Sequence, residues 1–396
     1  MVWCAAAGAV SCVVAWMTLS GGPESAPQPS TTVTIRVVLP DGRPAVGVRV
    51  GHAISRPAEG DTGKVVRALP FNDGPALTDA NGEFVLERRF LFDETHIRPR
   101  VVAALSEDQS LIGLGEVTTT RADAGQPVIV QLAPSCRVSV RAHSTELSAM
   151  GIPPAMTHLY VWRGDLRPVG IEGSRDGKHE FLLPAGDYRL FVYGTDTSDR
   201  IVPITIAPGD KERRFEVDLP ASRIARLIGK DAPELRSIKG WKNGGPVTLA
   251  ELKGKVVLLD FWGTWCGPCI GAMPELMELH EKYKDDGLVI IAVHDDSTDS
   301  IATMEEKLAE PRRKHWGGKD LPFLVALDGG GECPIEGTDN TASGATTAAY
   351  GISTFPTQIL IGRDGKVIGR RTRGDADQVP ELMKQGARSL RSTPGY

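Results

Sequence analysis

The spacing of apolar residues changes character near residue 221. Before it, apolar and polar positions alternate with period two, the mark of strands buried on one face. Thr32-Val33-Thr34-Ile35-Arg36-Val37-Val38 and Val46-Gly47-Val48-Arg49-Val50 alternate on either side of an Asp41-Gly42 turn. Asn81-Gly82 precedes Glu83-Phe84-Val85-Leu86, and Val128 to Leu132 closes this segment. Arg137 to Arg141, His158 to Trp162 and Tyr188 to Tyr193 repeat the pattern. Residues 31–132 and 133–220 are therefore predicted as two all-β sandwich modules.

After residue 221 the runs are continuous instead. Val256-Val257-Leu258-Leu259-Asp260-Phe261 and Leu288 to Val293 read as strands covered on both faces. Phe323 to Leu327 is a third strand, and Thr357 to Ile361 pairs with Lys366 to Gly369 across Asp364-Gly365. Helical spacing is predicted over Pro268–Lys284, over 298–310 and from Gln378 to Leu390. Strands alternating with helices predict an α/β domain over 221–395, with a long glycine-rich inserted loop at 311–344. The whole is a multidomain chain: two β-sandwich modules, then α/β.

The N-terminus differs from both parts. No charged residue occurs from Met1 to Pro23, and Val2 to Leu19 is mostly apolar. Residues 1–22 read as a signal-like or anchor segment without the usual leading base, and 23–30 as a linker. That predicts an extracytoplasmic protein of a bacterium, secreted or membrane-tethered. The net charge of −5 lacks the basic surplus of a nucleic-acid binder.

Chemistry concentrates at Trp265-Cys266-Gly267-Pro268-Cys269. Two thiols at i and i+3 on the first turn of a helix come close enough to form a small-loop disulfide. Cys266 would sit where unpaired N–H groups and the helix dipole favour thiolate, which makes it the attacking nucleophile. Cys269, deeper in the helix, would resolve the mixed disulfide. Half of a zinc site, a structural disulfide and two inert thiols are the competing readings. No second ligand pair accompanies the first, so no metal is expected. Cys333 reads as an incidental thiol, and His294-Asp295-Asp296 as a solvated turn.

The segment resembles the thioredoxin superfamily. Asp260-Phe261-Trp262 stands where that family carries its buried acid, six residues before Cys266. Pro274 matches its helix-kinking proline, and Thr354-Phe355-Pro356-Thr357 looks like its cis-proline loop. Gly229-Lys230-Asp231-Ala232-Pro233, with Val247 to Lys255, is similar to the TlpA-like, membrane-associated branch. The resemblance spans about 228–390 and implies a thiol–disulfide oxidoreductase without metal or organic cofactor. It implies that Asp260 is buried and takes or holds the Cys269 proton, against a polar residue satisfied at a strand end. Trp265, Gly267, Pro268, Thr354, Phe355 and Pro356 would then contact an extended substrate segment. Whether Pro356 is cis is not decided by sequence.

The implied partners are disulfide-containing envelope proteins and a membrane thiol donor for re-reduction. Gly267-Pro268 is the thioredoxin dipeptide and implies a reducing tendency. Ala272 stands where cytochrome-maturation members often have Glu, which weakens that specialised role. Two other functions compete: a redoxin or peroxiredoxin-type thiol peroxidase, and a surface binding protein with an auxiliary redox domain. Asp41 to Val46 and Thr78 to Phe84 resemble a carboxypeptidase-regulatory-like module. No exposed aromatic array is legible in 31–220 to favour glycan binding.

Overall fold

The computed structural model describes residues 32–55, 64–69, 76–87, 100–118, 125–152, 156–164, 169–338, 340–371 and 377–384. The expected signal or anchor segment and its linker lie outside them, as do residues 385–390 of the expected last helix, which is helical at 379–384. No helix among the described residues is long and apolar enough to cross a membrane.

Alternation in Thr32–Val38 turns Val33, Ile35 and Val37 inward. This strand pairs antiparallel with Glu83–Glu87 and parallel with Val128–Gln131. Gly82 enters that pairing at φ +72°, and a Cβ there would stand 2.6 Å from the Val37 carbonyl oxygen. The sheet shares a core with a second one, made of Arg49–Gly51, Arg100–Leu105, Leu111–Val117 and Ala133–Pro134.

Arg100–Leu105 explains how the two β segments meet. Val102 and Ala104 enter the first core, while Val101, Ala103 and Leu105 enter a second one with Val138, Phe181 and Leu190. A strand that walls two cores has no polar face, hence the unbroken Val-Val-Ala-Ala-Leu. Ala53–Ser55 and Arg67–Leu69 also extend a sheet whose other strands are Gly170–Ser174, Thr157–Trp162, Gly186–Gly194 and Arg200–Ile206. The segments 31–132 and 133–220 thus share both a sheet and a core.

The outer face of that sheet carries a half-buried aromatic cluster. Antiparallel register sets Tyr160 opposite Phe191 and His158 opposite Tyr193. His158 stacks on Tyr193 at 5.0 Å and Tyr193 on Tyr160 at 6.1 Å, all half-buried. An aromatic array exists there. Residues some thirty positions apart compose it, so no local run announces it.

The helix Arg223–Leu227, capped by Ser222, ties the β region to the α/β domain. Its Ala225 packs with Leu147 and Ala221, and its Ile224 and Leu227 with the α/β core. Arg226 grips Glu146 with two hydrogen bonds of 2.7 and 2.9 Å. Its guanidinium holds the Glu146 carboxyl down at about 2.

The α/β sheet runs Gly240–Lys242, Leu324–Leu327, Leu288–His294, Val256–Trp262, Thr357–Ile361, Val367–Arg370. Leu324–Leu327, Leu288–His294 and Val256–Trp262 are mutually parallel, and the other pairings are antiparallel. Val256–Trp262 is buried throughout. Its even residues Val256, Leu258 and Trp262 pack under the helices Gly267–Tyr283 and Ile301–His315. Its odd residues Val257, Leu259 and Phe261 fill the core on the other face.

The stretch 311–344 is not one inserted loop. It completes the helix Ile301–His315, supplies the strand Leu324–Leu327 and forms a hairpin, Glu332–Pro334 with Thr341–Ser343. Glu336 and Gly337 in the hairpin turn meet Arg223 and Arg226, which fastens it toward the β region. Glycines that look like a loop in sequence are the turns between these short elements.

Candidate active site

The buried strand Val256–Trp262 runs through Gly263, Thr264 and Trp265 into the helix Gly267–Tyr283. Cys266 is its N-cap, and its sulfur accepts the Cys269 N–H at 3.2 Å. Pro268 stands in the first turn, where a missing N–H costs nothing. Cys266 and Cys269 are joined as a disulfide, with Cα atoms 5.2 Å apart. Cys266 is 5% exposed and Cys269 fully buried. Cys266 is the less buried of the two, and it sits at the positive end of the helix dipole.

The other expected residues surround this pair. Trp265, Gly267, Pro268 and Thr354 are exposed, and Phe355 and Pro356 half-buried. Trp265 is 60% exposed and meets Phe355 edge-to-face at 5.5 Å, so two loops form one apolar rim. Phe355-Pro356 is a cis peptide. Asp260 is 1% exposed and has even parity on its strand, which turns it toward the helix that carries Cys269. Gln358 Nε2 donates to its Oδ1 at 2.9 Å.

The family model described as Redoxin matches residues 227–385. Thiol-disulfide oxidoreductase ResA of Bacillus thuringiensis subsp. konkukian is 37% identical over 164 residues, 40% of this chain and 78% of the relative. The chain belongs to the thioredoxin-like thiol–disulfide oxidoreductases. ResA of Bacillus subtilis is 32% identical over 166 residues, 41% of this chain and 78% of the relative. A solved structure described as a putative thiol:disulfide interchange protein DsbE from Chlorobium tepidum is 30% identical. It aligns with 40% of this chain and 96% of its own, with a TM-score of 0.29. The β region lies outside the family match.

Two supports of this oxidoreductase site do not show in the sequence. The first overturns an expectation, because His294-Asp295 is no solvated turn. His294 is fully buried and Asp295 is 5% exposed. Thr264 N–H donates to His294 Nε2 at 3.1 Å, and His294 Nδ1 faces the Asp295 carbonyl oxygen at 2.8 Å. The ring is therefore neutral with its proton on Nδ1. Burial also pushes its pKa down. Asp295 Oδ2 accepts the Trp265 indole N–H at 2.9 Å and fixes the exposed ring. Gly263 leaves it room, since a Cβ there would stand 2.5 Å from Trp265 Nε1. The signal that reveals this support is the parallel pairing of Trp262 with His294, which puts the end of one strand beside the start of the turn that carries the thiols.

The second support is Trp316. Pro274 inside the helix has no N–H for the Ile270 carbonyl four residues back. Trp316 Nε1 donates to that carbonyl instead, at 2.9 Å, from a buried position. Trp316→Phe is expected to leave the carbonyl unpartnered and to destabilise the oxidoreductase domain by about 1–3 kcal/mol. Calorimetric melting checks this; an unchanged transition would show the bond to be dispensable.

Proposed function

We propose that the protein is an extracytoplasmic thiol–disulfide oxidoreductase that reduces disulfides of envelope proteins by dithiol–disulfide exchange. The observation that carries this is the asymmetry of the Cys266–Cys269 pair: one cysteine caps a helix N-terminus with slight exposure, and the other is fully buried in that helix. In the reduced protein the Cys266 thiolate attacks a target disulfide and displaces one target sulfur as a thiolate. Cys269 then attacks Cys266 in the mixed disulfide, and the second target sulfur leaves. Asp260 takes the Cys269 proton. The rim of Trp265 and Phe355 receives apolar side chains beside the target cystine, and the Thr354-Phe355 backbone pairs with its extended chain. A membrane thiol donor returns the pair to the dithiol. The apolar start of the chain supports the location, and the names of the relatives support the reaction.

The test is the redox equilibrium of the full chain in dithiothreitol buffers, with thiols trapped by alkylation. A reversible two-electron couple near the thioredoxin value, about −270 mV, is expected. A couple far more oxidising would turn the reading to an oxidant or isomerase. Peroxide consumption without an added disulfide would turn it to a thiol peroxidase.

A further inference from the structure

One polar row crosses the face of the α/β sheet that packs under the thiol-bearing helix. Asp260 lies directly opposite Gln358, and the Arg371 backbone N–H donates to the Gln358 carbonyl at 2.9 Å. The side chains continue the row. Arg371 Nη1 donates to Gln358 Oε1 at 2.9 Å, while Gln358 Nε2 donates to Asp260 Oδ1. Arg371 is itself buried, with a side chain 2% exposed. It donates to Glu275 at 2.7 Å and to Asp377 at 2.6 and 3.1 Å. Glu275 belongs to the helix that carries Cys269, so the row is anchored to the element that holds the thiols.

An arginine can only donate, and a carboxylate can only accept. An amide between them has one workable orientation: oxygen to Arg371, nitrogen to Asp260. Flipping it would oppose donor to donor and acceptor to acceptor in a buried site, where each unmet group is costly.

We propose that Gln358 and Arg371 are positioning residues for Asp260. Arg371 pins the amide so that its N–H stays on the carboxylate. That stabilises the ionised form of a buried acid, the form able to accept a proton. The inference rests on the reading of Asp260 as proton acceptor. In the step concerned, the Cys269 S–H proton passes to Asp260. The Cys269 sulfur bonds to Cys266 Sγ, the bond from Cys266 to the substrate sulfur breaks, and that sulfur leaves as a thiolate.

The test uses the reduced full chain and 5,5′-dithiobis(2-nitrobenzoate), which releases one chromophore on attack by Cys266 and a second on resolution by Cys269. A Cys269→Ser chain identifies the second phase. Gln358→Glu keeps size and strengthens the pairing with Arg371, but sets a like charge on Asp260. It is expected to slow the second phase between about ten- and a hundred-fold, as for one hydrogen bond to a charged group, and to leave the first unchanged. A purely structural role lowers the melting temperature of the same variant and leaves its second phase at the wild-type rate. Arg371→Met is expected to slow resolution too, and Arg371→Lys, which keeps a donor for Oε1, to restore most of it. In an Asp260→Asn background Gln358→Glu should add nothing.

Wild-type resolution in Gln358→Glu, or equal slowing in the Asp260→Asn background, overturns the proposal. If Asp260→Asn alone resolves normally, the reading of Asp260 falls and this one with it. If Asp260→Asn is slow and Gln358→Glu is not, only the positioning role falls.

Discussion

Cys266→Ser is expected to lower reduction of a protein disulfide to the uncatalysed background, and Cys269→Ser to halt the reaction halfway. The two cysteines are not equivalent. Cys266 caps the helix and keeps slight exposure, and its sulfur accepts the Cys269 N–H at the dipole end that favours thiolate. A serine hydroxyl there has no comparable anion at neutral pH and cannot exchange with a disulfide. Cys269 is fully buried and is bonded to Cys266. Without it the first exchange proceeds and the target stays covalently attached. Insulin reduction measures the first effect, and mass spectrometry of the trapped adduct the second. Turnover by Cys266→Ser, or repeated turnover by Cys269→Ser, would remove the two-step mechanism.

Asp260→Asn is expected to have the next largest effect. The side chain is buried on the face covered by the active-site helix and is held by Gln358. Asparagine has nearly the same shape but cannot take a proton. A positioned general base contributes typically about 10²–10⁴-fold, so resolution by Cys269 should slow by at least ~10²-fold while attack by Cys266 is spared. Stability should hold or rise, because a buried charge is removed. The two chromophore phases read the rates, and a melting curve reads the fold. Equal resolution rates in the two proteins would make Asp260 a structural residue.

Several of these elements are legible in the residues themselves. The continuous run from Val256 to Phe261 reads as a strand covered on both faces, and it is one. The helical spacing of Pro268–Lys284 differs by one residue at each end from the helix Gly267–Tyr283. Cys266 and Cys269 at i and i+3 announce their own proximity, because helix geometry brings such pairs together whatever surrounds them. The 311–344 stretch is legible only in part: Phe323 to Leu327 reads as a strand, but the hairpin strands are three residues long, too short for a period to register.

Residues that serve the site from a distance are equally silent. Asp260 and Gln358 are 98 positions apart, and Trp316 and the Ile270 carbonyl 46. Periodicity says which face of an element a residue occupies, but not which element covers that face. His294 reads as part of a solvated turn at a strand end, yet that strand end is buried against the turn that carries the thiols.

From its sequence alone, then, this protein declares an α/β domain with a strand-to-helix turn and two thiols of unequal access. These rest on contacts within a few residues, which local geometry dictates. Tertiary structure alone decided the shared wall Arg100–Leu105, the clamp of His294 and Asp295 on the turn, and the row from Asp260 to Arg371. Each of these needs strands to pair in one register, and register is set by the packing of whole faces rather than by any one segment.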